Sequence, residues 1–155
     1  MAGPTSFWEH VMTVVKKSRT VGYTCEQMFR LVNEVEHYSE FLPYCAESVV
    51  HHRDADEVQA TLVIGAAGMS KSFTTRNRLQ INKMIEIRLV DGPFSHLEGF
   101  WRFDDVDGGC KISFDLEFEF AGRMFSMLLG PVFEQVTDKM VDSFCDRAKA
   151  IYGND

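Results

Sequence analysis

Residues 112–120 alternate strictly between apolar and polar side chains, and no other feature of the chain restricts its fold as much. The apolar positions are Ile112, Phe114, Leu116, Phe118 and Phe120, and those between them are Ser113, Asp115, Glu117 and Glu119. Successive side chains of a strand point to opposite faces, so this segment has one apolar and one water-facing side. Such strands form antiparallel sheets that are covered on a single face.

The same period of two recurs along the middle of the chain, from about Ser48 onward. It is clearest in residues 58–64, 73–79, 85–89 and 97–103. Turn-forming residues separate the segments at Asp54-Ala55-Asp56, Gly65 to Gly68, Asn82-Lys83, Asp91-Gly92-Pro93 and Asp107-Gly108-Gly109. Because the connections are short, we expect six consecutive strands that pair as hairpins.

A strand and two short helices precede this region. The β-branched residues of 13–21 predict a strand. Thr24 can cap the next helix, and Gln27 three residues later completes a capping box. A second short helix is expected over residues 35–41, ending before Pro43 because proline disfavours helical geometry in the residue that precedes it.

After Gly122 the apolar residues recur at steps of three and four, which is typical of a helix. They are Phe125, Leu129, Val132, Val136, Met140, Phe144, Ala148 and Ile151. Gly130 and Pro131 interrupt this pattern, and a proline inside a helix costs about 3 kcal/mol. We expect either a kink there, which could wrap the helix around a ligand, or a helix that starts later.

These elements predict an α+β fold, in which a curved antiparallel sheet of about seven strands wraps around one long C-terminal helix. The helix is the only element long enough to cover the apolar face of the sheet. Since a twisted sheet curves away from a straight helix, an apolar pocket remains wherever side chains do not fill the gap. The 13 phenylalanines suit either a large core or the wall of such a pocket.

Net charge, cysteine content and hydropathy restrict which partners and which cellular location are expected for this chain. A net charge of −7 argues against non-specific binding to nucleic acid or to anionic membranes. Cys25, Cys45, Cys110 and Cys145 form no CxxC pair, so we expect four free thiols in a reducing cytosol. With no apolar run long enough to span a membrane and no secretory signal, the expected location is the cytoplasm, with at most peripheral contact at the inner membrane.

Residues 1–12 differ in character from the rest, and we assign them to an N-terminal extension and residues 13–153 to one domain. Phe7, Trp8 and Val11 could share a face that touches a membrane or a partner. The alternative, which we prefer, is an upstream extension with Met12 as another start.

Several long motifs resemble one family. They are LVNEVEHYSEFLPYC at 31–45, FTTRNRL at 73–79, LVDGPF at 89–94, LEGFWRF at 97–103, GPVF at 130–133 and MVDSF at 140–144. In this order they are similar to the bacterial ribosome association toxin family and the mitochondrial coenzyme Q-binding proteins. The chain departs from the family pattern at Tyr44, where tryptophan is expected, and at Ser39, where proline is expected before Glu40.

The resemblance implies a START-like helix-grip fold with an apolar tunnel that binds ubiquinone or a related polyprenyl quinone and supports respiration. Ubiquinone would be a bound ligand, and no cofactor is required. The resemblance also implies a second possibility, a toxin that binds the large ribosomal subunit and blocks subunit joining. A polyketide cyclase is a lower alternative, and the oligomeric state is left open.

The candidate ligand-binding residues come from the apolar faces of the sheet and helix and from the segment before Tyr44. They are Leu42, Pro43, Tyr44, Phe73, Thr75, Asn77, Trp101, Phe103, Phe114, Leu116, Phe118, Phe120, Phe125, Leu129, Phe133, Val136 and Met140. Aromatic rings stack on a quinone, and methionine adapts to an isoprenoid chain. For any single residue, plain core packing is the stronger interpretation.

Polar and charged candidates complete the set. Thr75, Asn77 and Tyr44 could bond a quinone head group. Lys71, Arg76 and Arg78 could meet ribosomal or lipid phosphate, although such charges more often belong to a solvated sheet face.

No catalytic residue and no metal ligand is predicted. The five histidines have no triad or metal-site spacing. The carboxylates Asp115, Glu117 and Glu119 lie on the wet face of their strand and are interpreted as solubilising.

Overall fold

A computed structural model describes residues 12–66 and 68–153 of the chain. In the described residues, seven strands form one antiparallel sheet, and four helical segments accompany it. The strands are β1 (Thr13–Val21), β2 (Cys45–Arg53), β3 (Glu57–Ala66), β4 (Met69–Gln80), β5 (Met84–Asp91), β6 (Phe94–Val106) and β7 (Gly109–Phe120). The expected strand number and antiparallel pairing are confirmed.

The strand order is β1-β7-β6-β5-β4-β3-β2, so the chain's first strand pairs with its last. Thr13 faces Phe118 and Val21 faces Cys110 across this pair. Register shifts interrupt the pairing near both ends of the sheet, and such bulges increase twist and bend. At Gly99 the strands come so close that a Cβ would lie 2.1 Å from the Asp115 carbonyl oxygen.

The two helical segments after β1 form as expected. Helix α1 (Cys25–Asn33) has the predicted capping box, in which the Thr24 hydroxyl accepts from the Gln27 amide and the Gln27 side chain accepts from the Thr24 amide. A 3₁₀ helix follows at Val35–Glu40, one residue shorter than expected.

The C-terminal region is two consecutive helices, α2 (Arg123–Asp138) and α3 (Met140–Tyr152). The expectation of a helix start after Pro131 is wrong, because α2 runs through Pro131 and breaks at Lys139 instead. One turn before the break, the buried Thr137 hydroxyl donates to the Phe133 carbonyl oxygen at 3.0 Å. A back-bond of this kind bends a helix by competing with its backbone bonds.

The core lies between the concave face of the sheet and the helices. Phe114, Phe118 and Phe144 are its largest fully buried side chains. The expectation of four free thiols is wrong: Cys25 and Cys110 form a disulfide whose Cα atoms are 5.1 Å apart, while Cys45 and Cys145 are buried and belong to no disulfide. Folding brings α1 against the start of β7, and a separation of 85 residues hides that contact in the sequence.

The interpretation of Phe7, Trp8 and Val11 concerns residues outside the described part of the chain, so the boundary at residue 12 stays a prediction. Within residues 12–66 and 68–153, no helix is both long enough and apolar enough to cross a membrane.

Candidate functional site

An apolar cavity lies between the concave face of the sheet and the helices. Its volume is about 60 Å³, and β3 to β7, the 3₁₀ helix, α1 and the junction of α2 with α3 all contribute walls. The predicted ligand residues that line it are Phe73, Thr75, Asn77, Trp101, Phe114, Leu116, Phe133, Val136 and Met140. The alternation of side chains along each strand thus places the expected aromatic and polar residues on the wall of one cavity.

Four of the predicted residues, Phe118, Phe120, Phe125 and Leu129, lie beyond this cavity toward the start of α2. Phe120 and Leu129 line a smaller space of about 10 Å³, which shares Ile64, Phe73 and Phe133 with the first cavity. The ring of Phe118 packs edge-on against Phe133. The ring of Phe125 lies 5.4 Å from the Lys71 ammonium, measured to the ring centroid. Pro93 completes the wall of the small space.

The remaining predicted residues do not line either cavity. Phe103 packs edge-on against Phe29 of α1, and Leu42 is buried in the core. Pro43 and Tyr44 lie between the 3₁₀ helix and β2, and the Tyr44 hydroxyl donates to Gln135 Oε1 of α2 at 2.8 Å. Tyr44 has a left-handed backbone with φ 61°, which is strained for an aromatic residue and directs its ring toward α2.

Sequence reasoning missed half of the cavity wall. The additional residues are Val32, Val35, Tyr38, Leu62, Ile64, Ile85, Ile87, Leu97 and Thr137. The aliphatic residues of the strands occupy the same alternating positions as their aromatic neighbours, so the sequence pattern could have identified them. The residues from α1 and the 3₁₀ helix carried no such signal, because only tertiary packing turns them toward the sheet.

A polar pair sits on the sheet wall of the cavity. Thr75 Oγ1 donates to Asn77 Oδ1 at 3.2 Å, and Asn77 is 8% exposed. Asn77 lines the cavity, and its side-chain amide carries two N–H donors in addition to the oxygen that Thr75 occupies.

The other polar groups of the wall are already engaged. The Tyr38 hydroxyl donates to the Val32 carbonyl oxygen, and burial raises the pKa of Tyr38 far above its ordinary value. Thr137 is bonded to its own helix. Among the lining residues there is no carboxylate, histidine, lysine or arginine. Such a wall can accommodate an apolar molecule with an acceptor group, and its described residues include no acid–base pair.

The predicted basic patch is divided between the two faces of β4. Lys71 shares the inner face with Phe73, whereas Arg76 and Arg78 point outward. The Arg76 guanidinium lies 3.6 Å from a Glu57 carboxylate oxygen. In the strand register, Arg78 lies opposite Glu57 of β3 and opposite Glu86 of β5.

A cluster of titratable groups lies on the outer face of β6 and β7, where sequence reasoning found only solubilising carboxylates. His96 Nε2 is 3.1 Å from Glu117 Oε1 and 3.8 Å from Glu98 Oε1. Glu98 also pairs with Arg88 at 3.4 Å. Because Arg88 already pairs with Glu98, we interpret this half-exposed group as a polar cluster of the sheet surface.

Comparison with known proteins agrees with this architecture. Residues 21–145 match the family model described as polyketide cyclase / dehydrase and lipid transport. The chain is 43% identical to the ribosome association toxin RatA of Vibrio cholerae, over 92% of this chain and 99% of that protein. It is 27% identical to the mitochondrial coenzyme Q-binding protein COQ10 of Drosophila melanogaster, over 86% of this chain and 57% of that protein.

Among solved structures, the fold is similar to that of the Zhui aromatase/cyclase of Streptomyces sp. R1128. The TM-score is 0.77 at 16% identity, over 94% of this chain and 100% of the other. At this identity the similarity establishes the fold alone.

Proposed function

Because the chain belongs to the ribosome association toxin and coenzyme Q-binding branch of the polyketide cyclase, dehydrase and lipid transport family, we propose that it binds a polyprenyl quinone. The ligand would be ubiquinone, carried in support of respiratory electron transport by a cytoplasmic protein without enzymatic activity. The observation that carries this proposal is the apolar cavity with Asn77 on its wall.

The cavity chemistry suits a quinone head group. A quinone has carbonyl acceptors on a flat ring, and Asn77 offers N–H donors beside the rings of Trp101 and Phe114. The small space bounded by Phe120 and Leu129 continues the cavity toward the start of α2 and gives an apolar path for the isoprenoid tail.

The walls must separate to admit such a ligand. The cavity measures about 60 Å³, whereas ligand pockets usually measure about 300–1,000 Å³. Helix α2 is the wall best suited to move. It ends in a break at Lys139, and it lacks one backbone hydrogen bond because Pro131 has no amide hydrogen to donate. Met140 beside the break can adapt to different ligand shapes.

The first test is mass spectrometry of lipids extracted from detergent-free protein, followed by titration with a short-chain ubiquinone. Trp101 lines the cavity, so its fluorescence reports binding once Trp8→Phe has removed the other tryptophan. We expect Asn77→Leu to weaken binding about tenfold, because one hydrogen bond is lost.

Gln80→Leu on the exposed face of the same strand is the matched control and should bind like the parent. A folded protein that carries no quinone and leaves Trp101 fluorescence unchanged would reject the proposal.

A second candidate function is association with the large ribosomal subunit and a block of subunit joining. It is favoured by the relative named as a ribosome association toxin, which aligns with 92% of this chain. The test is salt-dependent cosedimentation with large subunits. Arg76→Glu with Arg78→Glu should weaken it, and Arg88→Glu with Arg102→Glu is the control on the same sheet face. Equal loss in both pairs would reject a role for Arg76 and Arg78.

A polyketide cyclase is the lower alternative, suggested by the family model. Such an enzyme needs an acid–base group within reach of its substrate, and the described cavity wall has only the tyrosine Tyr38, whose proton is held by a backbone carbonyl. Turnover of a polyketone by the purified chain would restore this alternative.

A further inference from the structure

The first three turns of α2 are apolar on the side that faces away from the core. Met124, Met127 and Leu128 are 71%, 70% and 45% exposed, and Pro131 beside them is also exposed. These four residues, here called the outer stripe, follow the i, i+3, i+4, i+7 spacing of one helix face. Since Phe125, Leu129 and Phe133 already form the inward face, this part of α2 is apolar on opposite sides.

An exposed helix of a globular protein normally has a polar outward face. A helix that is apolar all round is usually buried, so the outer stripe indicates a covering partner. Elsewhere α2 follows the usual rule, because Glu134, Gln135 and Asp138 are its exposed residues after Pro131.

The charges around the outer stripe differ from those of the whole chain. The chain has a net charge of −7, yet no acidic residue occurs from Ala121 to Phe133. The charged residue within this run is Arg123, which is exposed, and the Lys71 ammonium lies over Phe125 at the same end of α2. Arg123 shares a surface groove with Glu119 and Glu134, so the cationic character is confined to Arg123 and Lys71 at the start of α2, where it complements the phosphates of a lipid bilayer.

The size of the stripe argues against a second copy of the chain. The eight residues of helix from Met124 to Pro131 are about 12 Å long and about 10 Å wide, so the stripe covers far less than the roughly 800 Å² that each partner buries in a stable interface. A bilayer makes a smaller demand, since a few apolar side chains can insert at the headgroup boundary.

The stripe also lies next to the end of the ligand path. Leu129, which lines the small cavity, follows Met127 and Leu128 directly in α2, and Lys71 lines the same cavity. A bilayer in contact with the stripe would thus meet the protein at the apolar end of this space.

We propose that the outer stripe of α2, together with Arg123 and Lys71, is a docking surface for a phospholipid bilayer. The proposal rests on the stripe and its charges, so it goes beyond ligand binding and can fail separately from it.

The test is cosedimentation of the full chain with vesicles of phosphatidylcholine that contain a minority of phosphatidylglycerol. Met124→Asp with Met127→Asp should lower the partition coefficient at least about tenfold, because two charges must then enter the headgroup boundary. The control is Ile81→Asp, which changes a residue that is 61% exposed at the opposite end of β4 and should bind vesicles like the parent.

Three results would overturn the proposal: no vesicle binding by the parent chain, equal loss in the Ile81→Asp control, or a concentration-dependent dimer that the stripe variant abolishes. A separate experiment tests whether the chain's own N-terminal segment, and not a bilayer, covers the outer stripe. If Phe7→Ser with Trp8→Ser leaves vesicle binding unchanged or raises it, the bilayer assignment stands, and if it abolishes binding, the stripe is not the docking surface.

Titration of the Met124→Asp, Met127→Asp variant with short-chain quinone separates the two proposals. Retained Trp101 quenching with lost vesicle binding is the expected result. Lost quenching would mean that the substitutions disturb the fold or the cavity, and would withdraw the stripe assignment.

Discussion

At the scale of single residues, aromatic contacts explain how the C-terminal helices are held on the sheet. Phe144 of α3 is fully buried and packs edge-on against Tyr38, Phe41 and Trp101, with centroid distances of 5.1, 5.1 and 5.2 Å. It joins the 3₁₀ helix to the wall of the cavity. Replacement therefore affects packing in three elements at once.

We expect Phe144→Ala to lower the free energy of unfolding by about 3–5 kcal/mol, because the change removes a buried ring and leaves a cavity. Urea unfolding monitored by circular dichroism measures the effect. Ile151→Ala on the same helix is the control, since Ile151 is 52% exposed and its loss should change stability by less than about 1 kcal/mol. Similar losses for both variants would contradict the packing account.

A single ion pair links the 3₁₀ helix to β2. The Arg53 guanidinium donates to both carboxylate oxygens of Glu36, at 2.6 and 2.9 Å. The hydrogen bonds from Arg53 lower the pKa of Glu36 below its ordinary value of 4.5, despite partial burial. The folded state thus binds the Glu36 proton less tightly than the unfolded chain does.

This pKa shift predicts the pH dependence of one substitution. The stabilisation from Glu36 is fully present above the unfolded pKa and is lost as the pH falls through the lower folded pKa. Glu36→Gln should therefore destabilise the protein modestly at neutral pH, and the difference from the parent should shrink below about pH 4. Urea unfolding at both pH values tests this, and a difference that grows in acid would contradict it.

At the scale of elements, α2 combines features that few other segments of the chain have. It contains Pro131, ends in a break after the back-bonded Thr137, and contacts the segment before β2 through Gln135 and Tyr44. Because the proline and the break each interrupt the helix hydrogen bonding, we expect α2 to be the wall that moves. A ligand larger than the present cavity can enter only if α2 moves away from the sheet.

We expect Pro131→Ala to raise the free energy of unfolding by about 1–3 kcal/mol, because alanine restores an amide donor and has a higher helix propensity. The same change should slow quinone uptake, measured by stopped-flow quenching of Trp101. Pro43→Ala lies outside any helix and is the control. Increased stability with unchanged uptake would show that α2 is not the moving wall.

At the scale of the whole molecule, two long-range contacts join the beginning of the described chain to β7. Strand β1 pairs with β7, and the Cys25–Cys110 disulfide ties the start of α1 to the same strand. The disulfide closes a loop of 85 residues, which restricts the unfolded chain strongly. Redox conditions should consequently change global stability.

Reduction of this disulfide should cost about 4.6 kcal/mol in the chain-entropy estimate for a loop of that length. Thermal unfolding with and without a thiol reductant measures the effect. Thiol titration after denaturation should find two free thiols in the oxidised protein, and four would contradict the pairing. In the folded state Cys45 should react slowly at neutral pH, because burial raises the pKa of its thiol to about 11.

Local pattern was sufficient for most of the fold. The alternation in residues 112–120 predicted one face of β7, and the capping box at Thr24 placed the start of α1, because both depend on neighbours within a few residues. The same parity placed Phe73, Thr75, Asn77 and Trp101 on the cavity wall. Periodicity determines which way a side chain points, and it did so correctly on β4, β6 and β7.

Contacts between distant segments had to come from the tertiary structure. The Cys25–Cys110 disulfide, the walls formed by Val32, Val35 and Tyr38, and the helix break at Lys139 have no local signal. Which face of a strand is apolar follows from the strand's own residues. Which helices cover that face depends on how the whole chain packs. The sequence by itself therefore determined the sheet and its apolar side, and only the packing of α1, α2 and α3 decided where the space for a ligand remains.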